Sequence, residues 1–290
     1  MEDTEPLKAP TMTERELADE IWYCYLSGKN RAGFPEWYLR QMRILKTLLG
    51  ILPGRPRCLE CDAPMAGVGN WIMRPLGYGP SVLTPHLCNQ CERAILEHEG
   101  GAEVELSLLF ADIRGSTLLA QQKGAAEYTQ FIQRFYKVVA GLLIERDGLV
   151  NRLMGDQVIG MFVPAFSGAS HARAAIDAAL EILRQTGHGD PVGPWAPVGI
   201  GIHKGMAYVG AVGSKDGVKE IAVLGNAANL AARLSSKAAD GEVLVSEEAA
   251  DAAGLTDQKL EKRRLKLKGF DKPVMARILQ VSTNPTTESS

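Results

Sequence analysis

Two aspartates stand where their carboxylates could bind divalent metal ions. Asp112 ends an apolar stretch with strand character, LLFADI, and Asp156 stands at a turn between two short apolar stretches. A carboxylate at a strand tip can meet a metal ion, and the backbone N–H groups after it, here Gly115, Ser116 and Thr117, can meet phosphate. Each aspartate alone is more often a turn or cap residue, so the prediction depends on both converging.

Four of the five cysteines form two C-x-x-C pairs, Cys58 with Cys61 and Cys88 with Cys91. Two such pairs can supply four thiolates to a tetrahedral site, which suits Zn²⁺. The same sulfurs could hold iron or an iron–sulfur cluster instead, and His86 is a candidate substitute ligand. We interpret the pairs as a structural zinc ribbon that stabilises a module with little core, with redox or metal sensing as the alternative.

Strand and helix patterns alternate from Glu103 almost to the end of the chain. This order favours an α+β fold, a mixed sheet with helices packed on it. The predicted strands are 104–112, two short strands joined at Gly155-Asp156, two more around Lys204-Gly205, 242–246, Lys259–Lys268 and Val274–Val281. The predicted helices are Gly124–Glu145, Ser170–Gln185, Ala227–Lys237 and a short helix after the strand 242–246.

Composition divides the chain into four parts. Residues 1–52 form an N-terminal helical region with predicted helices over Glu14–Leu26 and Pro35–Leu49, where apolar residues recur near helical spacing. Residues 53–100 hold the paired cysteines, residues 101–281 form the main α+β domain, and residues 282–290 form a tail predicted to be disordered.

Five segments, in this order along the chain, resemble the signature of class III adenylate and guanylate cyclases. They are FADIRGST, NRLMGDQVIGMF, GIHKGMAYVGAVG, VLGNAANLAARL and LKLKGFDKPV, and the resemblance extends from Glu103 to Gln280. It implies a ferredoxin-like sheet flanked by helices. It also implies a homodimer, because in this family each site forms between two catalytic domains and this chain carries both halves of the set.

The resemblance also implies roles for individual residues. Asp112 and Asp156 would bind two Mg²⁺ or Mn²⁺ ions per site, with the Ile113 carbonyl as a further ligand. Asn229 and Arg233 are four residues apart and share one helix face, where Asn would orient the ribose and Arg would stabilise charge on the α-phosphate. Three further residues are implied to contact the nucleotide: Lys268 at the terminal phosphates, and Arg152 and Ala222 at the base.

The implied reaction converts a nucleoside triphosphate, ATP as first choice, into a 3′,5′-cyclic nucleotide and pyrophosphate. Relatives that form cyclic AMP usually read adenine with a Lys and an Asp or Thr, at the positions of Arg152 and Ala222. Arginine only donates, so it can meet adenine N1 or a pyrimidine oxygen but cannot accept from guanine. Ala222 cannot accept from the adenine amino group, although a backbone carbonyl or water could. A UTP or CTP cyclase is therefore the alternative.

Composition limits the partners and the compartment. A net charge of −2 and 6% aromatic residues give no sign of a nucleic-acid-binding surface. Apolar stretches are of strand length, far below the ~18–20 residues of a membrane span, and the polar start does not resemble a signal peptide. We therefore expect a cytoplasmic protein without membrane or nucleic-acid partners. A catalytically inactive nucleotide- or partner-binding module with a zinc knuckle is the hypothesis from another class.

Overall fold

The structure is a computed structural model that describes residues 13–29, 34, 36–81, 84, 86–97, 100–213, 219–256 and 258–281. The predicted disordered tail lies outside the described residues. The helices are α1 (Glu14–Ser27), α2 (Glu36–Gly50), α3 (Gly67–Met73), α4 (Asn89–Glu97), α5 (Ser116–Glu145), α6 (Pro164–Ser167), α7 (His171–Gln185), α8 (Asn226–Lys237) and α9 (Glu247–Ala252). The strands are β1 (Gly101–Ile113), β2 (Leu149–Met154), β3 (Gln157–Phe162), β4 (Val198–Gly213), β5 (Lys219–Leu224), β6 (Val243–Ser246), β7 (Lys262–Leu265) and β8 (Val274–Leu279).

The described strands form one mixed sheet in the order β2-β3-β1-β4-β6-β8-β7, and β5 pairs with β4 outside this path. Strands β4 and β6 run parallel, whereas the other neighbours pair antiparallel. Helices flank this sheet, so the predicted α+β fold is confirmed.

Both faces of the sheet are covered, because side chains of a strand alternate between its faces. On β1, Leu109, Ala111 and Ile113 belong to the apolar core that includes α5 and α7. Leu106, Leu108 and Phe110 point the other way, into a second core that includes α1 and the cysteine region. Burying each such leucine contributes roughly 1.5–3 kcal/mol. We call this second side, which also carries Asp112, the front face.

Helix α8 lies directly on the front face over β4. Gly201 pairs with Phe110 in the β1–β4 ladder, so both occupy this face. A Cβ added to Gly201 would lie 2.1 Å from the backbone nitrogen of Ser235 and 2.5 Å from the carbonyl of Ala231. The missing side chain therefore allows the helix backbone to approach the strand.

The N-terminal helices are confirmed over nearly their predicted lengths. Thr13 and Glu16 form a capping box at the start of α1, and Gly28 closes the helix in the left-handed region with φ 70°. The buried residues Trp22 and Leu26 pack into the front-face core. No helix in the described part of the chain combines the length and apolar character needed to cross a bilayer.

Two predicted strands around Lys204-Gly205 are one continuous strand in the structure. Strand β4 pairs with β1 in an unbroken register from Val198 to Gly210, so Gly205 is an ordinary ladder residue opposite Leu106. The glycine resembled a turn signal, but the long partner strand keeps this segment extended. The prediction of two strands is wrong here.

Other element boundaries also differ from prediction. The helix predicted from Gly124 begins at Ser116, and Gly124 interrupts it with φ 71° and ψ 163°. The closing strand predicted over Lys259–Lys268 contracts to β7. Helices α3, α4 and α6 and strand β5 were not predicted. Among the described strands, β5 pairs with β4 alone, so its six residues do not show the continuous apolar pattern of a central strand.

Candidate active site and cysteine cluster

Asp112 and Asp156 lie at the same end of the sheet on neighbouring strands. Asp112 pairs with Gln157 in the β1–β3 ladder, one residue beyond Asp156. The backbone N–H of Ile113 donates to the Asp156 carbonyl at 3.0 Å. Gly155, with φ 61°, makes the tight turn that presents Asp156. Two residues distant in sequence are thus brought together by strand pairing.

Each aspartate carboxylate already accepts hydrogen bonds. Asp112 accepts from the guanidinium of Arg114 and from the Gln157 amide at 3.2 Å, and Asp156 accepts from the Ser116 hydroxyl. Burial raises the pKa of Asp112, and the charge of Asp156 raises it further, while Arg114 and Gln157 act in the opposite direction. A site in which one carboxylate raises the pKa of another favours a cation between them.

The backbone after Asp112 turns at once into a helix. Gly115, with φ 64°, is the N-cap of α5, and Ser116 and Thr117 are its first two residues. The unpaired N–H groups of a helix start can donate hydrogen bonds to an anion. The Ser116 hydroxyl donates a hydrogen bond to the Asp156 carboxylate, whereas Thr117 is exposed. The geometry is suited to phosphate close to the carboxylates.

The donor set fits a hard divalent cation. Asp112 and Asp156 supply carboxylate oxygens, the ligands that Mg²⁺ and Mn²⁺ prefer. The side chain of Ile113 is buried in the core on the other face, so only its backbone carbonyl could join them. Tyr136 donates to the Gly155 carbonyl at 2.7 Å and holds the turn in place.

Asn229 and Arg233 both lie on the exposed side of α8. The opposite side of this helix, with Leu230, Ala231 and Leu234, is buried against the sheet. Among the described residues, no hydrogen bond or ion pair joins Asn229 or Arg233 to either aspartate. Both side chains therefore face away from the sheet on which α8 packs.

Lys268 does not lie beside the two aspartates. It occupies the exposed turn between β7 and β8, at the edge of the sheet opposite β2. The strand registers from β1 through β4, β6 and β8 to β7 also place this turn at the end of the sheet away from Asp112.

Arg152 and Ala222 lie on strands β2 and β5, which approach each other. The Asn151 amide donates to the Ile221 carbonyl at 2.9 Å, and the Arg152 guanidinium binds the Glu220 carboxylate. Glu220 precedes Ala222 by two residues and so shares its strand face. Sequence reasoning missed Glu220, and recognising β5 as a strand would have placed this carboxylate beside Ala222.

The four paired cysteines form one compact cluster, as their spacing predicts. All four sulfur atoms lie within 4.8 Å of one another, and the Sγ atoms of Cys61 and Cys88 are 3.7 Å apart. A tetrahedral ion with Zn–S bonds of about 2.3 Å places its sulfurs about 3.8 Å apart, so one ion fits. The backbone N–H of Cys88 donates to the Cys58 sulfur at 3.3 Å, as expected for a thiolate-binding knuckle.

His86 is not part of the cysteine cluster. Its ring stacks on Phe166 with centroids 4.7 Å apart, and burial lowers its pKa. Cys24, the fifth cysteine, is buried in α1 and also lies outside the cluster. The described residues thus offer four thiolates as the ligand set.

Comparisons with known proteins identify the family of the sheet domain. The family described as Adenylate and Guanylate cyclase catalytic domain matches residues 101–279. Among solved structures, the adenylyl cyclase CyaB from P. aeruginosa is 25% identical, with a TM-score of 0.54, over 62% of this chain and 96% of that one. The guanylyl cyclase Cya2 is 24% identical, also with a TM-score of 0.54, over 64% of this chain and 97% of that one.

Curated relatives are longer proteins. Rv1318c of Mycobacterium tuberculosis is 30% identical over 186 residues, which cover 60% of this chain and 32% of that protein. Rv1319c of the same organism is 30% identical over 161 residues, 55% of this chain and 29% of that protein. The chain thus spans about a third of the length of the curated relatives it matches.

Proposed function

The chain belongs to the adenylate and guanylate cyclase catalytic domain family, and on this premise we propose that it converts ATP into 3′,5′-cyclic AMP and pyrophosphate. The observation that carries this proposal is the juxtaposition of Asp112 and Asp156 beside a helix N-terminus. Two divalent ions, when bound there, would activate the 3′-hydroxyl and stabilise the pyrophosphate leaving group. Mg²⁺ and Mn²⁺ are the proposed ions.

The proposed roles of the protein follow from the positions of its side chains. Asp112, Asp156 and the Ile113 carbonyl hold the ions, and the backbone after Gly115 receives phosphate oxygens. Asn229 orients the ribose, and Arg233 neutralises charge that develops on the α-phosphate during attack. These groups act by positioning and by electrostatics, which is what phosphoryl transfer needs from a protein.

We further propose that the active enzyme is a homodimer with two equivalent shared sites. Asn229 and Arg233 are exposed on α8, and Lys268 lies at the far end of the sheet from the aspartates. A second copy of the chain can bring its own α8 and Lys268 to the aspartates of the first. In this arrangement Asn229, Arg233 and Lys268 reach a pair of aspartates, which they do not reach within one protomer.

The base preference is proposed from the groups near β2 and β5. Arg152 can donate to adenine N1, while Ala222 offers no acceptor for the amino group. The Glu220 carboxylate binds the Arg152 guanidinium and is therefore a hydrogen-bond acceptor next to Arg152. A pyrimidine triphosphate is the alternative, because Ala222 lacks the acceptor that an adenine site usually has.

The cysteine cluster is proposed to hold one structural Zn²⁺. Four thiolates at tetrahedral spacing form a closed site with no position left for substrate. The free thiols are also consistent with a reducing compartment, and we propose the cytoplasm.

One assay tests the reaction and the base together. The full chain is incubated separately with ATP, GTP, CTP and UTP, each with Mg²⁺ or Mn²⁺, and products are identified by mass spectrometry. We expect cyclic AMP to dominate. Cyclic UMP or cyclic CMP as the main product would replace ATP by a pyrimidine substrate. No cyclic product from any triphosphate would reject the cyclase activity in favour of a binding module.

A further inference from the structure

A cavity of about 620 Å³ lies between α1, α2, the loop of the first cysteine pair and α6. Its volume falls within the usual range of small-molecule sites. Helix α6, which contributes Ala165 and Phe166, follows β3 within the matched cyclase domain, whereas the other walls come from the N-terminal and cysteine regions. The cavity therefore joins the catalytic domain to the segments that precede it.

The cavity lies away from the proposed catalytic site. Asp156 directly precedes β3, and α6 follows the other end of that strand. The six residues of β3 rise about 3.3 Å each, which separates the two ends by roughly 20 Å. The lining includes neither aspartate and none of the residues proposed to contact the nucleotide. A ligand bound here would occupy a second site.

The lining carries an excess of positive charge. Lys29, Arg43 and Lys46 line the cavity, and Glu60 is the carboxylate among the described lining residues. Lys29 donates to the Tyr23 hydroxyl at 2.7 Å. Arg43 and Lys46 are three residues apart on α2, so they share a helix face, and both are exposed. Within the described residues neither of these two cations forms an ion pair, so both can bind an anion.

The rest of the lining is largely apolar and aromatic. The rings of Tyr25 and Phe166 pack edge to face, with centroids 5.1 Å apart. Leu39 and Met42 are half-buried on α2, and Leu59 is 55% exposed although it is a large apolar residue. An aromatic ligand would cover Leu59 and contact the two rings. The apolar walls and the two cations together indicate an amphipathic anion.

One lining residue carries a buried donor without a partner. Tyr25 is 8% exposed, and within the described residues its hydroxyl makes no hydrogen bond. Buried polar groups are nearly always paired in folded proteins, so this hydroxyl lacks an acceptor. Burial raises the pKa of Tyr25 well above its ordinary value, so the hydroxyl stays protonated and can donate. An oxygen on the aromatic body of a ligand would supply the acceptor.

We propose that this cavity binds a hydroxylated aromatic carboxylate. The carboxylate binds Arg43 and Lys46, the ring system packs against Phe166 and Leu59, and the ring oxygen accepts from Tyr25. Two available cations beside one lining carboxylate suit a monoanion better than a polyanion such as a triphosphate. Binding itself does not depend on the proposed cyclase activity.

Fluorescence titration of the full chain tests the site with three bicyclic probes: 2-naphthoate, 6-hydroxy-2-naphthoate and the neutral 2-naphthol. We expect each naphthoate to bind with one molecule per chain, and 2-naphthol to bind at least about 10-fold more weakly, because it lacks the anion. The hydroxylated naphthoate should bind roughly 3- to 10-fold more tightly than 2-naphthoate, the usual effect of one hydrogen bond. Tyr25→Phe should abolish that difference without changing the affinity for 2-naphthoate.

Variants on α2 test the anion site. Arg43→Gln and Lys46→Gln each remove one cation and should weaken binding of 2-naphthoate roughly 3- to 10-fold. Arg40→Gln is the matched control, because Arg40 is an exposed arginine of the same helix that does not line the cavity, and its affinity should equal that of the wild type. Circular dichroism checks the folding of each variant. Addition of 3′-deoxy-ATP with Mg²⁺ should leave the probe bound.

Four results would overturn the proposal. The first is no saturable binding of either naphthoate at millimolar concentration, or equal affinity for 2-naphthoate and 2-naphthol. The second is unchanged affinity in both Arg43→Gln and Lys46→Gln with folding intact. The third is a preference for the hydroxylated probe that persists in Tyr25→Phe. The fourth is complete displacement of the probe by 3′-deoxy-ATP with Mg²⁺, which would place the probe in the substrate site.

Discussion

Asp112 is partly buried on the front face, where its carboxylate meets Arg114 and Gln157 and lies beside Asp156. Asp112→Ala removes a charge that the proposed divalent ions require. We expect turnover to fall by more than about 100-fold, because electrostatic stabilisation of developing charge is a large part of such catalysis. Initial rates of cyclic nucleotide formation measure the effect.

The fold should survive this substitution. Asp112 is at the end of β1, and its backbone pairing with Gly199 and Gln157 does not need the side chain. Circular dichroism and thermal unfolding of Asp112→Ala should therefore resemble the wild type. Turnover equal to that of the wild type would remove Asp112 from the metal site.

At the scale of single residues, the sequence predicts those that are distinctive by type and spacing. The two C-x-x-C pairs cluster as expected, and Asp112 and Asp156 meet at one end of the sheet. Glu220 was not foreseen, because a lone acidic residue has no distinguishing sequence context. Its relation to Arg152 arises only when β2 and β5 approach each other in three dimensions.

The position of α8 depends on Gly201 in strand β4. A Cβ at this position would lie 2.1 Å from a backbone atom of α8, so the helix would have to move. We expect Gly201→Ala to lower the free energy of unfolding by about 3 kcal/mol, near the upper end for overpacked sites. Because α8 carries Asn229 and Arg233, activity should fall with stability. Urea unfolding measures the loss.

Gly141 provides the matched control. It lies within α5, and a Cβ there would meet nothing within 4 Å. Gly141→Ala should raise stability by up to about 1 kcal/mol, since alanine favours a helix over glycine. Equal effects of the two substitutions would argue against close approach of α8 to β4.

A second element-scale contact joins the start of β6 to β7. The Arg263 guanidinium donates two hydrogen bonds of 2.8 Å to the carboxylate of buried Glu242, and the backbone N–H of Ala239 donates a third of 2.9 Å. Hydrogen bonds from Arg263 lower the pKa of Glu242 below its ordinary 4.5, although burial opposes them. The carboxylate form is thus the one that stabilises the fold.

This contact predicts a pH-dependent difference between wild type and Glu242→Gln. Because the folded-state pKa is lowered, the stabilisation is complete above pH 4.5 and is lost as pH falls through the lower folded value. At pH 7 we expect Glu242→Gln to cost about 1–3 kcal/mol, and the difference should shrink below pH 4.5. Glu261→Gln is the control, since that exposed carboxylate lies 3.9 Å from Arg263 and should contribute less than about 1 kcal/mol. A pH-independent difference for Glu242→Gln would contradict the assignment.

Elements were predictable where their pattern is self-contained. The capping box at Thr13 and the apolar spacing of α1 are local signals, and that helix was predicted correctly. Strand β4 was divided at Gly205 and β5 was missed, because both depend on partners far along the chain. Pairing with β1 makes β4 continuous, and pairing with β4 alone makes β5 a strand.

On the scale of the whole molecule, the cysteine cluster joins the N-terminal region to the catalytic domain. Cys58, Cys61, Cys88 and Cys91 belong to the same apolar core as Leu106 and Leu108 of β1. Without the proposed ion, the four thiols would have no common ligand in this core. The N-terminal region is therefore part of the folded unit and packs on the front face of the sheet.

Metal removal should accordingly destabilise the chain. We expect Cys88→Ser to lose one equivalent of zinc per chain by elemental analysis and to lower the melting temperature by at least about 5 °C, since binding of a structural ion contributes to folding. Cys24→Ala should retain the zinc, because Cys24 lies outside the cluster. Iron instead of zinc in the purified protein would replace the proposed ion, and full stability without metal would reject a structural role.

The shared-site homodimer makes a quantitative prediction for mixed variants. Asp112→Ala damages the metal half of a site, and Arg233→Ala damages the half proposed to come from the partner. Each variant alone should lose most of its activity, Asp112→Ala by more than about 100-fold and Arg233→Ala by roughly 10³-fold. In a heterodimer of the two, one site combines both intact halves while the other combines both damaged halves. Random 1:1 mixing makes half of the dimers heterodimers, each with one of two sites intact, so about a quarter of wild-type activity should return.

The mixing experiment separates this arrangement from a site contained within one protomer. If Arg233 served the aspartates of its own chain, every protomer in the mixture would carry a defect and no activity would return. A double variant with Asp112→Ala and Arg233→Ala in the same chain, mixed with either single variant, is the control and should stay inactive, because no pairing then assembles two intact halves. The outward orientation of Arg233 on α8 favours recovery, since that side chain faces away from the core of its own protomer and is available to a second copy.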